Sequence, residues 1–195
     1  MSYQTYITKA IVCGSRHSMT SDKSYLLYTQ ELGMLWATAR SVRMEKSKQR
    51  PALQDFSVIR VSLVRGKATW RIGSVEALAN PFLASQTRVA RGAVSYIVKA
   101  LRKYVHGEVP VPRAFQDVLY LLPVVSKETD IDMIALYQNV FMIRLLDELG
   151  YVKITDAIMA LIQREDIQSA CEAYDDSMDA AITACITHAA EVSHL

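Results

Sequence analysis

The sequence predicts an α+β chain, a small five-stranded β-barrel followed by an all-α helical bundle. Two patterns lead there. Up to about residue 75 the apolar residues fall in short β-favouring runs separated by turn formers, and from Ser85 onward they recur at three- and four-residue spacing. The 195 residues, 51% of them hydrophobic, give room for a real core in one large domain or two small ones. The change of regime falls at Glu76–Pro81, which places the barrel at 1–79 and the bundle at 80–195.

Residues 3–12 alternate loosely and close on Ala10-Ile11-Val12, the first strand. Gly14 to Asp22 is rich in turn formers and reads as a loop. Lys23 to Thr29, aromatic and β-favouring, is the second strand. Glu31-Leu32-Gly33 turns the chain, Gly33 being suited to a positive φ, and Met34 to Ala39 returns as the third. A fourth strand runs from about Asp55 to Val64, Arg65-Gly66-Lys67 is a tight turn, and Ala68 to Val75 is the fifth. Five short antiparallel strands at this length point to the oligonucleotide-binding (OB-fold) barrel, in which the loops rim the binding face.

The first long helix starts near Ser85, with Val89, Val94, Ile97, Val98, Leu101 and Val105 at helical spacing, and Val109-Pro110-Val111-Pro112 breaks it. Arg113 to Val125 is a second helix, kinked or closed near Pro123. Asp130 or Asp132 caps a third, ending at Gly150. Thr155 caps a fourth that reaches about Arg164, and a fifth, rich in Ala, is expected to run from Asp166 to near the C-terminus, packing lightly.

Charge is distributed unevenly. Through residue 78 there are twelve Lys and Arg against five acids; from Thr155 onward there are eight acids against Arg164 alone. The densest point is the stretch between the third and fourth strands, where Arg40, Arg43, Lys46, Lys48 and Arg50 are offset only by Glu45. Burying that many cations would cost too much desolvation energy, so the stretch is expected to project into water from a rigid β scaffold. Such an arm suits a phosphate-rich partner through salt-sensitive, sequence-tolerant contacts. Arg16 and Lys23 flank the first loop, and Arg65, Lys67 and Arg71 flank the last turn, where an OB barrel has its binding rim. Tyr28 is the better candidate for stacking on an unpaired base, while Trp36 and Trp70 are expected in the core.

Other chemistry finds little local support. The cysteines, Cys13, Cys171 and Cys185, are odd in number with no CxxC pair, and are expected to be buried thiols rather than zinc ligands or disulfides. His17, His106, His188 and His194 have no companion at metal-ligand spacing. No GxSxG, Walker or GxGxxG pattern occurs, and Asp175, Asp176 and Asp179 read as a solvated acidic face. No catalytic residue, metal or cofactor is therefore expected. No apolar run reaches the roughly 20 residues that span a bilayer, and Met1 to Tyr6 lacks a signal-peptide layout, so a cytoplasmic location without membrane contact is expected.

The order of these features resembles the RecO family of bacterial recombination mediators. The resemblance runs from Lys9-Ala-Ile-Val12 through Asp22 to Thr29, Glu31-Leu-Gly33, Ala39-Arg40, Lys46-Ser47 and Leu53-Gln-Asp-Phe56 to the strand pair around Gly66. In the bundle it is carried by Phe141-Met-Ile-Arg144-Leu-Leu-Asp-Glu-Leu-Gly150-Tyr151, and it covers roughly residues 3–155. Many members carry a four-cysteine zinc module after that segment; here Val152 to Met159 holds no cysteine, and an acidic, Ala-rich tail follows. The resemblance implies a non-enzymatic protein that binds single- and double-stranded DNA, anneals complementary strands, and works with RecR and single-stranded-DNA-binding protein to load RecA, in the bacterial cytoplasm at the nucleoid. It further implies that the acidic tail of the single-strand-binding protein docks on the helical part, where Arg88, Arg91, Lys99, Arg102 and Lys103 would meet it. A protein-interaction adaptor with decayed DNA binding and an RNA-binding OB module are the alternatives.

Overall fold

The computed structural model describes residues 4–17, 21–67, 69–152 and 155–192. Part of the expected first loop, Ala68 of the expected fifth strand, and His194 lie outside them. Five strands, β1 (Thr5–His17), β2 (Lys23–Thr29), β3 (Gly33–Ala39), β4 (Val58–Arg65) and β5 (Trp70–Ala79), close into a barrel in the order β1-β2-β3-β5-β4. All neighbours are antiparallel except β3 and β5, which run parallel, and β4 closes the ring against β1. The five-stranded barrel followed by helices is the α+β fold that the sequence predicts. Its interior is filled by Val12, Tyr25, Leu27, Leu35, Ala37, Ile59, Val61, Leu63, Trp70 and Ile72, so Trp70 is a core residue as expected.

Two strands are longer than expected. β5 continues to Ala79, and β1 continues through Gly14 to His17 instead of turning into a loop. The β1–β2 register shifts between Val12 and Gly14, leaving Cys13 as the extra residue. Because side chains alternate along a strand, one extra residue exchanges the faces. Before it Ile7, Lys9 and Ile11 point outward; after it Gly14 and Arg16 do, pairing with Leu26 and Ser24 of β2.

The β2–β3 turn requires its glycine. Gly33 has φ +69°, and a Cβ there would lie 2.4 Å from the carbonyl oxygen of Val109. The turn is further held by the Thr29 hydroxyl, which donates to the Gly33 carbonyl and accepts from the Leu32 N–H.

Backbone contacts divide the chain into two units, one of residues 1–84 with 106–110 and one of 85–105 with 111–195. In the first unit a short helix, α1 (Pro81–Ala84), follows β5, and the ring of Phe82 stacks on that of Phe56. Residues 106–110 lie against the strands: Met34 N–H donates to the Gly107 carbonyl, and the indole N–H of Trp70 donates to Glu108 at 2.9 Å.

The second unit holds α2 (Arg88–Tyr104), α3 (Pro112–Val125), α4 (Ile131–Glu148), α5 (Asp156–Ile162), α6 (Ile167–Glu172) and α7 (Asp179–Val192). The first three starts have local causes, whereas Thr155, the cap expected for α5, makes no side-chain cap bond. Thr87 caps α2 through its hydroxyl, Asp130 caps α4 through its carboxylate, and Pro112 opens α3 with its φ already helical. α3 lacks a cap of its own; instead Glu148 of α4 accepts from the N–H groups of Arg113 and Ala114 at 2.9 and 2.7 Å. At the centre, fully buried Arg144 of α4 pairs with Asp117 of α3 and donates to the carbonyls of Leu161 and Arg164. Gly150, φ +78°, ends α4, where the Tyr151 N–H returns to the Leu146 carbonyl.

The single last helix expected from Asp166 onward is corrected to two. α6 stops at Glu172, and a single 3₁₀ turn at Asp176–Met178 leads into α7. The Asp175 carboxylate accepts from the Ser177 N–H, an Asp side chain competing with helical backbone bonding, and so starts a new segment. α7 also packs better than expected, with Ile182, Cys185 and Ala189 buried.

Candidate nucleic-acid interface

The connection between β3 and β4, residues 40–57, carries the five clustered cations. It leaves Arg40, Arg43, Lys46, Lys48 and Arg50 exposed while burying Val42, Ala52 and Leu53 against the barrel. Apolar anchors at both ends of a charged run hold the run outward, because the anchors gain by leaving water and the cations would lose. Backbone positions at the two ends are unusual: among the described residues Ser41 (φ 48°) and Phe56 (φ 70°) are the non-glycine ones with positive φ. Each is secured. The Ser41 N–H donates to Asp22 at 2.8 Å, and the Phe56 N–H donates to the Val12 carbonyl at 2.8 Å. Arg43 N–H reaches the Ser21 carbonyl, and the Gln49 amide donates to the Gly73 carbonyl at 2.5 Å. The arm is tied to β1–β2 on one side and to β5 on the other.

Those ties leave a cleft on each side of it. One, about 570 Å³, is lined by His17, Lys23, Tyr25, Val42, Arg43, Arg50, Leu53, Gln54 and Asp55. The other, about 450 Å³, is lined by Arg40, Met44, Lys46, Gln49, Ile72 and Gly73 among others. The first places three full cations around one carboxylate, and its charge is felt by the floor. Burial pushes the Tyr25 phenol up, Asp55 pushes it further, and Arg50 pulls it back. The Lys23 ammonium lies 5.2 Å from the centre of the same ring.

The remaining expected residues do not all gather here. Arg65 and Lys67 are exposed at the β4–β5 turn, and Arg65 makes a 3.5 Å ion pair with Glu108. Gly107, next to Glu108, bonds Met34 at the start of β3, whereas Arg40 follows its end. Through the strands the turn is nearer than that contact suggests: Arg65 pairs with Trp70 and Trp70 with Ala37, three residues before Arg40. Arg16 and Arg71 lie elsewhere again, on the outer face of the sheet at one level: Arg16 pairs with Ser24, Ser24 with Thr38, and Thr38 with Arg71.

The aromatic expectations are reversed in two places. Tyr28 is 0% exposed and offers no face to a base. It shares a row with Ile11 and Met34 on the outer side of the sheet, and all three are buried. Trp36, expected in the core, points outward between inward Leu35 and Ala37 and is 38% exposed, with the Arg16 guanidinium 4.3 Å from its ring centre. Strand parity alone does not reveal which face a β-barrel covers.

In the helical unit, Arg88, Arg91, Lys99 and Arg102 are exposed and share one face of α2, opposite buried Ala93, Ile97, Leu101 and Tyr104. Lys103 turns aside over the Tyr104 ring. Among the described residues no group of three or more His, Cys, Asp and Glu side chains is arranged to hold a metal ion, and no helix is long and apolar enough to cross a membrane.

No family model matches the sequence. The DNA repair protein RecO of Dehalococcoides mccartyi is 30% identical to it over 145 residues, which is 74% of this chain and 56% of that protein. The match thus spans little more than half of the relative's length. Taken with the closed five-stranded barrel and the helices after it, this similarity supports assigning the chain to the RecO family.

Proposed function

We propose that this protein is a non-enzymatic DNA-binding mediator of recombination in DNA repair, acting in the bacterial cytoplasm at the nucleoid. The observation that carries the reading is the arm of five exposed cations tied to the barrel at both ends, with a cleft on either side. Arg40, Arg43, Lys46, Lys48 and Arg50 neutralise phosphates and release counterions, which gives affinity without sequence preference. Cations held on one rigid support also screen two like-charged strands from each other, so complementary strands anneal without any catalytic group. The RecO relative supports the repair setting, and by that analogy a RecR-like protein and the single-stranded-DNA-binding protein are the partners for loading RecA. The exposed cationic face of α2 suits the acidic tail of the latter.

The test is fluorescence anisotropy with labelled single-stranded and duplex oligonucleotides across a salt series, followed by an annealing assay. Steeply salt-dependent, sequence-tolerant binding and faster annealing are expected. No binding at low salt removes the reading and leaves an adaptor that works through α2.

A further inference from the structure

We propose that the outer face of the sheet around Trp36 is a subsite for one unpaired nucleobase, with Arg16 and Arg71 taking the phosphates on either side of it. The inference rests on the nucleic-acid reading above and adds to it a preference for single strands.

Trp36 is a large apolar ring held at the surface, where an unoccupied face costs contact with water. The row beside it runs Arg16, Ser24, Thr38, Arg71 across four adjacent strands, a cation at each end and two hydroxyls between. Three strand spacings separate the two arginines, about 14 Å. The hydroxyls of Ser24 and Thr38 bond each other at 3.1 Å, and each keeps further capacity for a base edge or a phosphate oxygen. Arg16 is on this face only because the extra residue Cys13 exchanges the faces of β1; with regular alternation it would point into the barrel.

The guanidinium of Arg16 now lies over the indole and covers the face that a base would take. At an exposed site a base stacked on an aromatic ring is the stronger contact of the two, so a base displaces the guanidinium, which swings to the adjoining phosphate. In a duplex both faces of each base are already stacked within the helix. An unpaired base can present a face to the ring, and a paired one cannot without leaving the stack.

The chain carries its own reporter, since of its two tryptophans Trp70 is buried and Trp36 is exposed. Titration with an unlabelled thymidine oligonucleotide should quench the intrinsic fluorescence, and a duplex of the same length should quench it far less. Trp36→Phe should abolish the quenching while keeping a ring. Trp36→Ala should weaken single-strand binding by about 5- to 100-fold and leave duplex binding within twofold. Arg16→Ala should weaken single-strand binding and leave the Trp36 emission quenchable. Quenching that persists in Trp36→Phe, or Trp36→Ala binding single strands like wild type, overturns the subsite and leaves the cationic arm standing. Wild-type chain that binds neither form at low salt overturns both.

Discussion

Arg144 and Asp117 meet two-on-two inside the bundle, guanidinium Nε to Oδ2 at 2.7 Å and Nη2 to Oδ1 at 3.1 Å, both side chains almost wholly out of water. Removing one partner strands the other's charge. Asp117→Ala should lower the unfolding free energy by about 3–5 kcal/mol, read from urea denaturation. Asp117→Asn keeps an acceptor and should cost less. Replacing both residues by apolar ones will not restore stability, because the carbonyls of Leu161 and Arg164 then lose their donor as well.

The same pair has an uncommon pH signature. Burial pushes the Asp117 carboxyl up, against the hydrogen bonds and charge of Arg144 that pull it down. A carboxyl whose pKa is higher folded than unfolded favours the folded chain below its unfolded value and loses that contribution as pH rises through the folded one. The stability of wild type relative to Asp117→Asn should therefore fall as pH is raised above the ordinary carboxylate value of 3.8, and thermal melts at stepped pH will show it.

Reversing Arg43, Lys46 and Lys48 to Glu should abolish DNA binding and leave the circular dichroism spectrum intact, since these side chains are exposed and the arm is anchored by Val42 and Leu53. Single Lys→Ala changes at 46 or 48 should each lower the slope of log K against log salt by about one for duplex. Unchanged binding of the triple variant at moderate salt would remove the role given to the arm.

Gly33→Ala puts a side chain on a backbone at φ +69° and drives its Cβ into the peptide of Val109. The expected loss exceeds about 1 kcal/mol. Gly107, whose Cβ would meet nothing, is a useful comparison: it carries the positive φ without the collision. Gly107→Ala should cost less, and chemical denaturation of the two variants will rank them.

Burial pushes the Cys171 thiol up to about 12, so almost no thiolate forms near neutrality. Iodoacetamide at pH 8 should leave it unmodified in the native chain and alkylate it once urea unfolds the bundle, as peptide mass spectrometry can follow.

The sequence reading succeeded where a single local signal decides the outcome. Gly33 at a positive φ, Gly150 as a helix stop and Asp130, one of the two caps expected for α4, are found where expected, each a consequence of one residue's own chemistry. It failed where the outcome depended on what lies across the sheet. Trp36 and Tyr28 are equally good strand residues; only the level each occupies on the outer face separates an exposed ring from a buried one. Arg16 looked like a loop residue because Gly14 and Ser15 beside it favour turns, and pairing with β2 overrode that preference. In the tail, no Pro or Gly marks the break between α6 and α7, and the carboxylate of Asp175 makes it instead.

The strip of residues 106–110 gives the barrel a delayed completion. Trp70 bonds Glu108 and Met34 bonds Gly107, yet the whole of α2 is translated between the last strand and these partners. A ribosome adding residues at about 5–20 per second has all five strands available seconds before the strip emerges. Until then the indole N–H of Trp70 must satisfy itself with water. A chain cut after residue 84 would remain in that unfinished state, so the barrel is better excised as a fragment reaching past Pro110 than one ending where its strands do.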